Sequence, residues 1–213
     1  FIKEFPNERP HGFIYDSGDY DGTLDRCLQK LDLDAFRREQ AELRERGVYR
    51  GVGFSTYVEI CGLGPSRALG PDGWGMQGGY FESAQVRVHP TGSVTVYTGT
   101  SPHGQGLETS FAQIAADRLG VTPDVVDVIH GDTNTGPFGK NTYGSRSLSV
   151  GGEAIARAAE KVQDKAKRIV AHKLEAAPED IELVEGSFQV RGSPDKSMSL
   201  ADVAGEAYIP GDL

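Results

Sequence analysis

Two amphipathic repeats dominate the chain. Leu107, Phe111, Ile114, Ala115 and Leu119 fall at i, i+4, i+7, i+8 and i+12, which places one apolar stripe on a helix over residues 107–119. Gly120 follows the last apolar position and is placed to stop it. Ile155, Ala159, Val162, Ala166, Ile169 and Lys173 recur at spacings of three and four and predict a second, longer helix. Period-two patterns surround these helices. Ala84, Val86 and Val88 alternate, residues 89–92 turn the chain, and Val94 with Val96 resumes the alternation, so the segment reads as a hairpin. Val126 and Val128 on one face, with Val125 and Ile129 on the other, predict a strand covered on both sides. Residues 181–184 and 188–190, joined through Glu185-Gly186-Ser187, predict a last hairpin before a short helix near residues 200–207.

The N-terminal pattern is thinner. The first twenty or so residues hold Pro6, Pro10, Gly12 and Gly18 with little periodicity and read as an extended arm. Residues 23–30 and 34–46 read as helices, the second opened by Asp34 as N-cap and closed by Gly47. Phe36 and Leu43 are the second helix's few apolar anchors, and its mixed charges read as a solvated face. Residues 48–60 turn β-like through Val52, Phe54 and Val58. Residues 61–79 then carry seven glycines with Pro65 and Pro71 around Trp74, which reads as a long loop, either functional or simply on the surface. This order predicts an α+β fold, antiparallel hairpins packed with long helices, rather than a doubly wound sheet. The N-terminal arm and helices occupy 1–47 and the second domain 48–213.

Composition narrows the partners. A net charge of −9 argues against a protein that binds nucleic-acid phosphates, because such proteins gather Lys and Arg to displace counterions. No run approaches the ~20 apolar residues that a bilayer span needs, so no transmembrane segment is expected. The chain begins FIKEFPNERPHG, without Met or a secretory signal pattern, and is expected to be a piece of a longer one. Cys27 and Cys61 are too few for an iron–sulfur cluster or a disulfide framework, which fits a cytoplasmic protein. Cys27, near Leu24, Leu28 and Leu31, is expected to be a small buried apolar residue. No metal site is expected on this chain.

The candidate chemistry lies where the strand of Val94 and Val96 runs through Gly104-Gln105-Gly106 into the first long helix. A docked helix start leaves backbone N–H groups unpaired beside glycines that admit a ligand, as a phosphate or polar heterocycle requires. Gln105 adds an amide that donates and accepts. Alone, the motif reads first as a tight strand-to-helix connection. Residues 135–141 fail as a phosphate-binding P-loop, since Asn134 stands where the first glycine is needed and Asn141 where Ser or Thr is. No G-x-S-x-G or H-E-x-x-H pattern is present. The five histidines are scattered; His103, beside the glycine turn, is placed to orient a ligand or to bond nearby backbone.

TGTSPHGQGLETSFAQIAADRLGV followed by HGDTNTGPFGKNTYGSRSLSVGGEA resembles the molybdenum-binding large subunit of the xanthine dehydrogenase family, and more closely its carbon monoxide dehydrogenase branch. STYVEICGLGPSRALG and GGYFESAQVRVHPTGSVTVYTG are similar to the segments that precede those motifs, so the resemblance runs through nearly the whole chain. It implies part of a molybdenum cofactor-binding domain holding a molybdopterin dinucleotide, commonly the cytosine form. The implied contacts are Gln105 and Gly106 in one turn and Thr142, Tyr143, Gly144, Ser145 and Ser147 in the other. It further implies iron–sulfur and FAD groups on partner subunits, assembled with the rest of the large subunit as a dimer of heterotrimers. The implied reaction is two-electron oxidation of carbon monoxide, an aldehyde or an N-heterocycle, with water as oxygen source.

Neither the family's substrate loop nor its catalytic glutamate has a match. Gly151-Gly152-Glu153 resembles the glutamate segment only superficially, and Glu153 is better placed to favour the dipole of the helix it opens. No catalytic residue is therefore assigned, and the chain alone is expected to be inactive. An inert nucleotide-binding or subunit-assembly module of the same fold is the alternative.

Overall fold

The computed structural model describes residues 1–10, 14–64 and 80–209. The chain divides into two compact units, Phe1–Val58 and Glu59–Leu213. In the first, β1 (Asn7–Glu8) pairs antiparallel with β2 (Ile14–Tyr15). Helix α1 (Tyr20–Leu31) starts at Asp19, whose side chain accepts from the Gly22 amide at 2.9 Å. It ends at Asp32 in the left-handed conformation, and the same Asp32 caps α2 (Leu33–Glu45) by accepting from the Ala35 amide at 3.0 Å. The N-cap is thus Asp32 and not Asp34, because one aspartate closes the first helix and opens the second. Neither helix buries a residue fully, and Cys27 is exposed, contrary to expectation: the stripe around it is too little covered. Residues 48–60 form no strand and only Val52 among them is half-buried, because alternation without a partner strand yields no ladder. The expectation for the glycine-rich loop falls mostly on residues 65–79, outside the described ones.

The second unit follows the predicted patterns closely. Strands β3 (Ala84–Val88) and β4 (Val94–Thr98) form the hairpin with Val86 opposite Val96. Its turn is closed by the His89 amide on Ser93 O at 2.8 Å and the Gly92 amide on His89 O at 2.9 Å. Helix α3 (Leu107–Leu119) buries Leu107, Phe111, Ala115 and Leu119 and stops at Gly120, left-handed with φ 68. Burying side chains such as Phe111 and Leu119 stabilises by about 1.5–3 kcal/mol each. Strand β5 (Val126–Ile129) returns parallel to β4, Val94 opposite Val126 and Val96 opposite Val128. The three-stranded order β3-β4-β5 therefore contains one parallel pair, which the hairpin-only reading did not anticipate; α3 supplies the crossover that such a pair needs. Val125 and Ile129 are both 36% exposed, so β5 is covered on one face and not on both.

A single turn of π-helix at Ser147–Gly151 feeds α4 (Gly152–Lys173), the long predicted helix. It buries Ile155, Ala159, Ala166 and Ile169 against α3 and the sheet. Its first residues must be small: a Cβ on Gly151 would stand 2.8 Å from Thr100 Cγ2, and one on Gly152 2.9 Å from Ile114 Cδ1. Strands β6 (Ile181–Val184), β7 (Ser187–Val190) and β8 (Ser193–Ser199) form a second antiparallel sheet. The first two are the expected hairpin. Strand β8, SPDKSMS, carries almost no apolar signal and is held as an edge by its backbone ladder. Helix α5 (Leu200–Tyr208) begins with a capping box between Ser199 and Asp202, and those bonds hold the Asp202 carboxyl below its ordinary pKa. With antiparallel hairpins and packed helices in separate layers, the unit is an α+β fold.

Candidate functional site

Strands β4 and β5, being parallel, end on the same side, and their exits form a crevice of the kind in which α/β sheets take ligands. A cavity of about 350 Å³ opens there, lined by residues 98–101 after β4, residues 131–133 after β5, and Gly136, Pro137, Phe138, Gly139 and Asn141. Its walls are mainly hydroxyls and glycine backbone.

Ser101 and Asn141, which flank the two predicted turns, line this cavity, whereas Gln105, Gly106, Thr142, Tyr143, Gly144, Ser145 and Ser147 do not. The Thr142 hydroxyl donates to Ser101 O at 2.7 Å and accepts from the Ser101 amide at 3.1 Å. Ser147 Oγ lies 2.7 Å from the same oxygen; since Thr142's one proton is on Ser101 O, Ser147 is the donor. Asn141 Oδ1 takes the Ser101 hydroxyl and also the Thr142 amide at 2.7 Å. Thr142 and Ser147 thus spend their hydroxyls inside the chain.

Gln105 and Gly106 stand differently. Gly104 (φ 81) and Gly106 (φ 77) are left-handed, a conformation that suits glycine, and a Cβ on either would meet nothing within 4 Å. Gly106 is the N-cap of α3 and has no side chain to cap it, while the first-turn amide of Glu108 is met by that residue's own carboxylate. Gln105 Oε1 accepts from the His103 amide, leaving its NH₂ group as a donor without a partner among the described residues. Tyr143 is 42% exposed, edge-on to Tyr80 with ring centroids 6.3 Å apart, and Arg146 lies 5.3 Å from its ring centroid. Gly144 O and Ser145 O accept from the Leu63 and Gly62 amides, both at 3.1 Å, so this turn is backed by residues 62–63.

Three features escaped the sequence reading. Arg146 and Glu82, both with fully buried side chains, form an ion pair behind the cavity wall. Removing one partner of such a pair costs about 3–5 kcal/mol. The available signal was slight: Arg146 is the one arginine between Arg118 and Arg157, set in a polar turn. Ser101, between β4 and the glycine turn, carries no motif of its own. His130 Nε2, just past β5, lies 2.8 Å from Glu108 Oε1 in the first turn of α3, and this bond, with the backbone amide of Glu108, holds the Glu108 carboxyl below its ordinary pKa. Glu153 pairs with Arg157 at 2.7 Å, as a solvated helix-start carboxylate would. Among the described residues no cluster of His, Cys, Asp and Glu could hold a metal ion, and no helix is long and apolar enough to cross a membrane.

These features suit a polar ligand: open glycines for close approach at a helix N-terminus, and an unused amide donor for a polar ring. The molybdopterin cofactor-binding domain family matches residues 26–212. The chain is 43% identical over 209 residues to the carbon monoxide dehydrogenase large chain of Hydrogenophaga pseudoflava, covering 97% of this chain and 26% of that one. It is 35% identical to the nicotine 6-hydroxylase large subunit of Paenarthrobacter nicotinovorans, covering 97% and 25%. The solved carbon monoxide dehydrogenase of Oligotropha carboxidovorans superimposes with a TM-score of 0.65 at 39% identity, over 95% of this chain and 26% of that one. The chain spans about a quarter of the length of the curated relatives it matches. It belongs to the molybdopterin cofactor-binding domain family, among the molybdenum-binding large subunits of the xanthine dehydrogenase and carbon monoxide dehydrogenase type.

Proposed function

We propose that this chain is part of the cofactor cradle of a molybdenum hydroxylase large subunit, holding a molybdopterin dinucleotide, in its cytosine form, between the Gln105-Gly106 turn and the turn of Thr142, Tyr143, Gly144, Ser145 and Ser147. The observation that supports this reading is the pair of hydrogen bonds between Thr142 and Ser101, which ties the second turn to the segment that runs from β4 into the Gln105-Gly106 turn at the N-terminus of α3. Gln105 donates to the ligand at the N-terminus of α3, Gly104 and Gly106 admit it, and Tyr143 covers it. Thr142 and Ser147 hold the cradle closed. The bound group supplies two-electron oxidation of a small substrate with water as oxygen source. Iron–sulfur and flavin subunits carry the electrons away, in a cytoplasmic dimer of heterotrimers completed by the rest of the large subunit.

The test is made in the intact large subunit with its partners. Gln105→Ala should lower molybdenum content and the cytidine nucleotide released by acid hydrolysis, while the fold persists. Wild-type molybdenum and nucleotide content in that variant would refute the assignment of Gln105. Release of a guanine or adenine nucleotide from the wild-type protein would correct the cytosine form.

A further inference from the structure

Arg146 leaves the second turn inward, and each of its five N–H groups is used by the chain itself. Nε donates to Leu63 O at 2.8 Å; Nη1 donates to Glu82 Oε1 and to Asn141 O at 2.9 Å; Nη2 donates to Tyr80 O at 2.8 Å and Phe81 O at 2.9 Å. A guanidinium beside a predicted dianion site would ordinarily be read as its ligand, yet this one has no donor left and its charge is met by Glu82. Glu82 Oε1 also accepts from the Lys140 amide at 2.9 Å, so the carboxylate holds the loop that carries Asn141. Its other oxygen is buried, without a partner among the described residues, under Gly99 and Gly139, two residues that line the cavity. A Cβ on Gly99 would stand 2.5 Å from Gly139 Cα and 3.0 Å from that oxygen. The pair is thus packed directly behind the cavity wall.

The geometry points to Arg146 and Glu82 as positioning residues of the cofactor cavity, a role that rests on the cofactor reading above. They touch no ligand. Arg146 fixes Asn141, and through Asn141 the Ser101 and Thr142 stitch. Glu82 fixes Lys140 and backs Gly99 and Gly139. A planar fork is required because the acceptors surround one point: a lysine would keep the charge opposite Glu82 but present a single nitrogen with three donors.

Arg146→Lys in the intact large subunit, with its partner subunits, tests this. In the cofactor-free protein, amide exchange over residues 99–101 and 141–147 should become about tenfold faster while the buried amides of α3 and α4 keep their protection. In the loaded enzyme, cofactor should dissociate faster, with turnover per retained molybdenum atom unchanged, a split that simple loss of fold does not give. Unchanged exchange at 141–147 would overturn the proposal. So would equal loss of protection throughout α3 and α4, which would make the pair a general stabiliser. Glu82→Ala should reproduce the local effect at 99–101 and 139–141. Gln105→Ala separates the two claims. Full cofactor content in that variant, with exchange altered in Arg146→Lys, would remove Gln105 from the cradle and leave the Arg146–Glu82 clamp standing.

Discussion

Thr142 and Ser101 are bonded twice through one hydroxyl, which donates to the Ser101 carbonyl at 2.7 Å and accepts its amide at 3.1 Å. A side chain thus does what a ladder does between strands, for two turns that no strand pairing connects. Thr142→Val keeps the shape and removes the hydroxyl, leaving Ser101 and Ser147 short of partners. We expect a loss of about 1–3 kcal/mol in denaturant unfolding, whereas Thr142→Ser should stay near wild type. Equal stability of the Val and Thr forms would mean that the stitch is not made in solution.

Glycines in the two turns should respond differently to substitution. A Cβ on Gly144 would lie 2.9 Å from Leu63 Cβ, at φ +56, so Gly144→Val combines a clash with a strained backbone. The clash, about 1–3 kcal/mol, and the strain, about 1–2 kcal/mol, together should destabilise the protein by about 2–5 kcal/mol with or without cofactor. Gly106→Ala meets open space and only the conformational penalty, about 1–2 kcal/mol. Thermal unfolding of the cofactor-free protein should therefore separate them, and cofactor content should fall in both.

The Glu108–His130 contact gives a pH dependence of definite sign. The folded-state pKa of Glu108 is lowered, chiefly by the His130 bond, so its contribution is present in full above the ordinary value of 4.5 and is lost as pH falls through the lowered value. Glu108→Gln should therefore narrow the stability gap between pH 7 and pH 3. Because Glu108 is solvent-exposed the effect is small, and urea titrations at several pH values are the suitable measurement. A gap that widens in the variant would contradict the assignment.

Turnover is not expected from the isolated chain. Oxidation by the proposed route needs a nucleophile, a base beside it and an exit for two electrons. Cys27 and Cys61 cannot form an iron–sulfur relay, and Glu108 and Glu153 are engaged by His130 and Arg157. Dye reduction by the purified chain with carbon monoxide, aldehyde or purine, after incubation with cofactor, should equal a cofactor-only control.

What the sequence disclosed was periodicity. The α3 stripe, the β3–β4 hairpin and the α4 repeat are carried by apolar spacing alone, and each formed where spacing put it. Features that depend on a distant partner were illegible. Nothing local marks Arg146 as buried, since its acceptors, four carbonyls and the Glu82 carboxylate, are scattered from Leu63 to Asn141. Cys27 sits in an apolar stripe that remains exposed, and residues 48–60 alternate without a neighbour to pair. Strand β8 is polar because backbone bonds to β7 suffice to hold it. Gln105 and Gly106 could be nominated from the motif and the resemblance, whereas the pairing of Ser101 with Thr142 could not.

The parallel pairing of β4 with β5 also sets an order of folding. The β3–β4 hairpin closes over a four-residue turn at His89–Gly92 and can form in about 1–10 μs. Val94 cannot meet Val126 until α3 has formed and carried the chain back, a much longer closure whose entropy must be met first. The crevice at the strand exits is therefore among the last features to exist. Until it does, the far edge of β4 stands open, and its unpaired Val94–Thr98 backbone is the segment a chaperone would need to shield from other nascent chains.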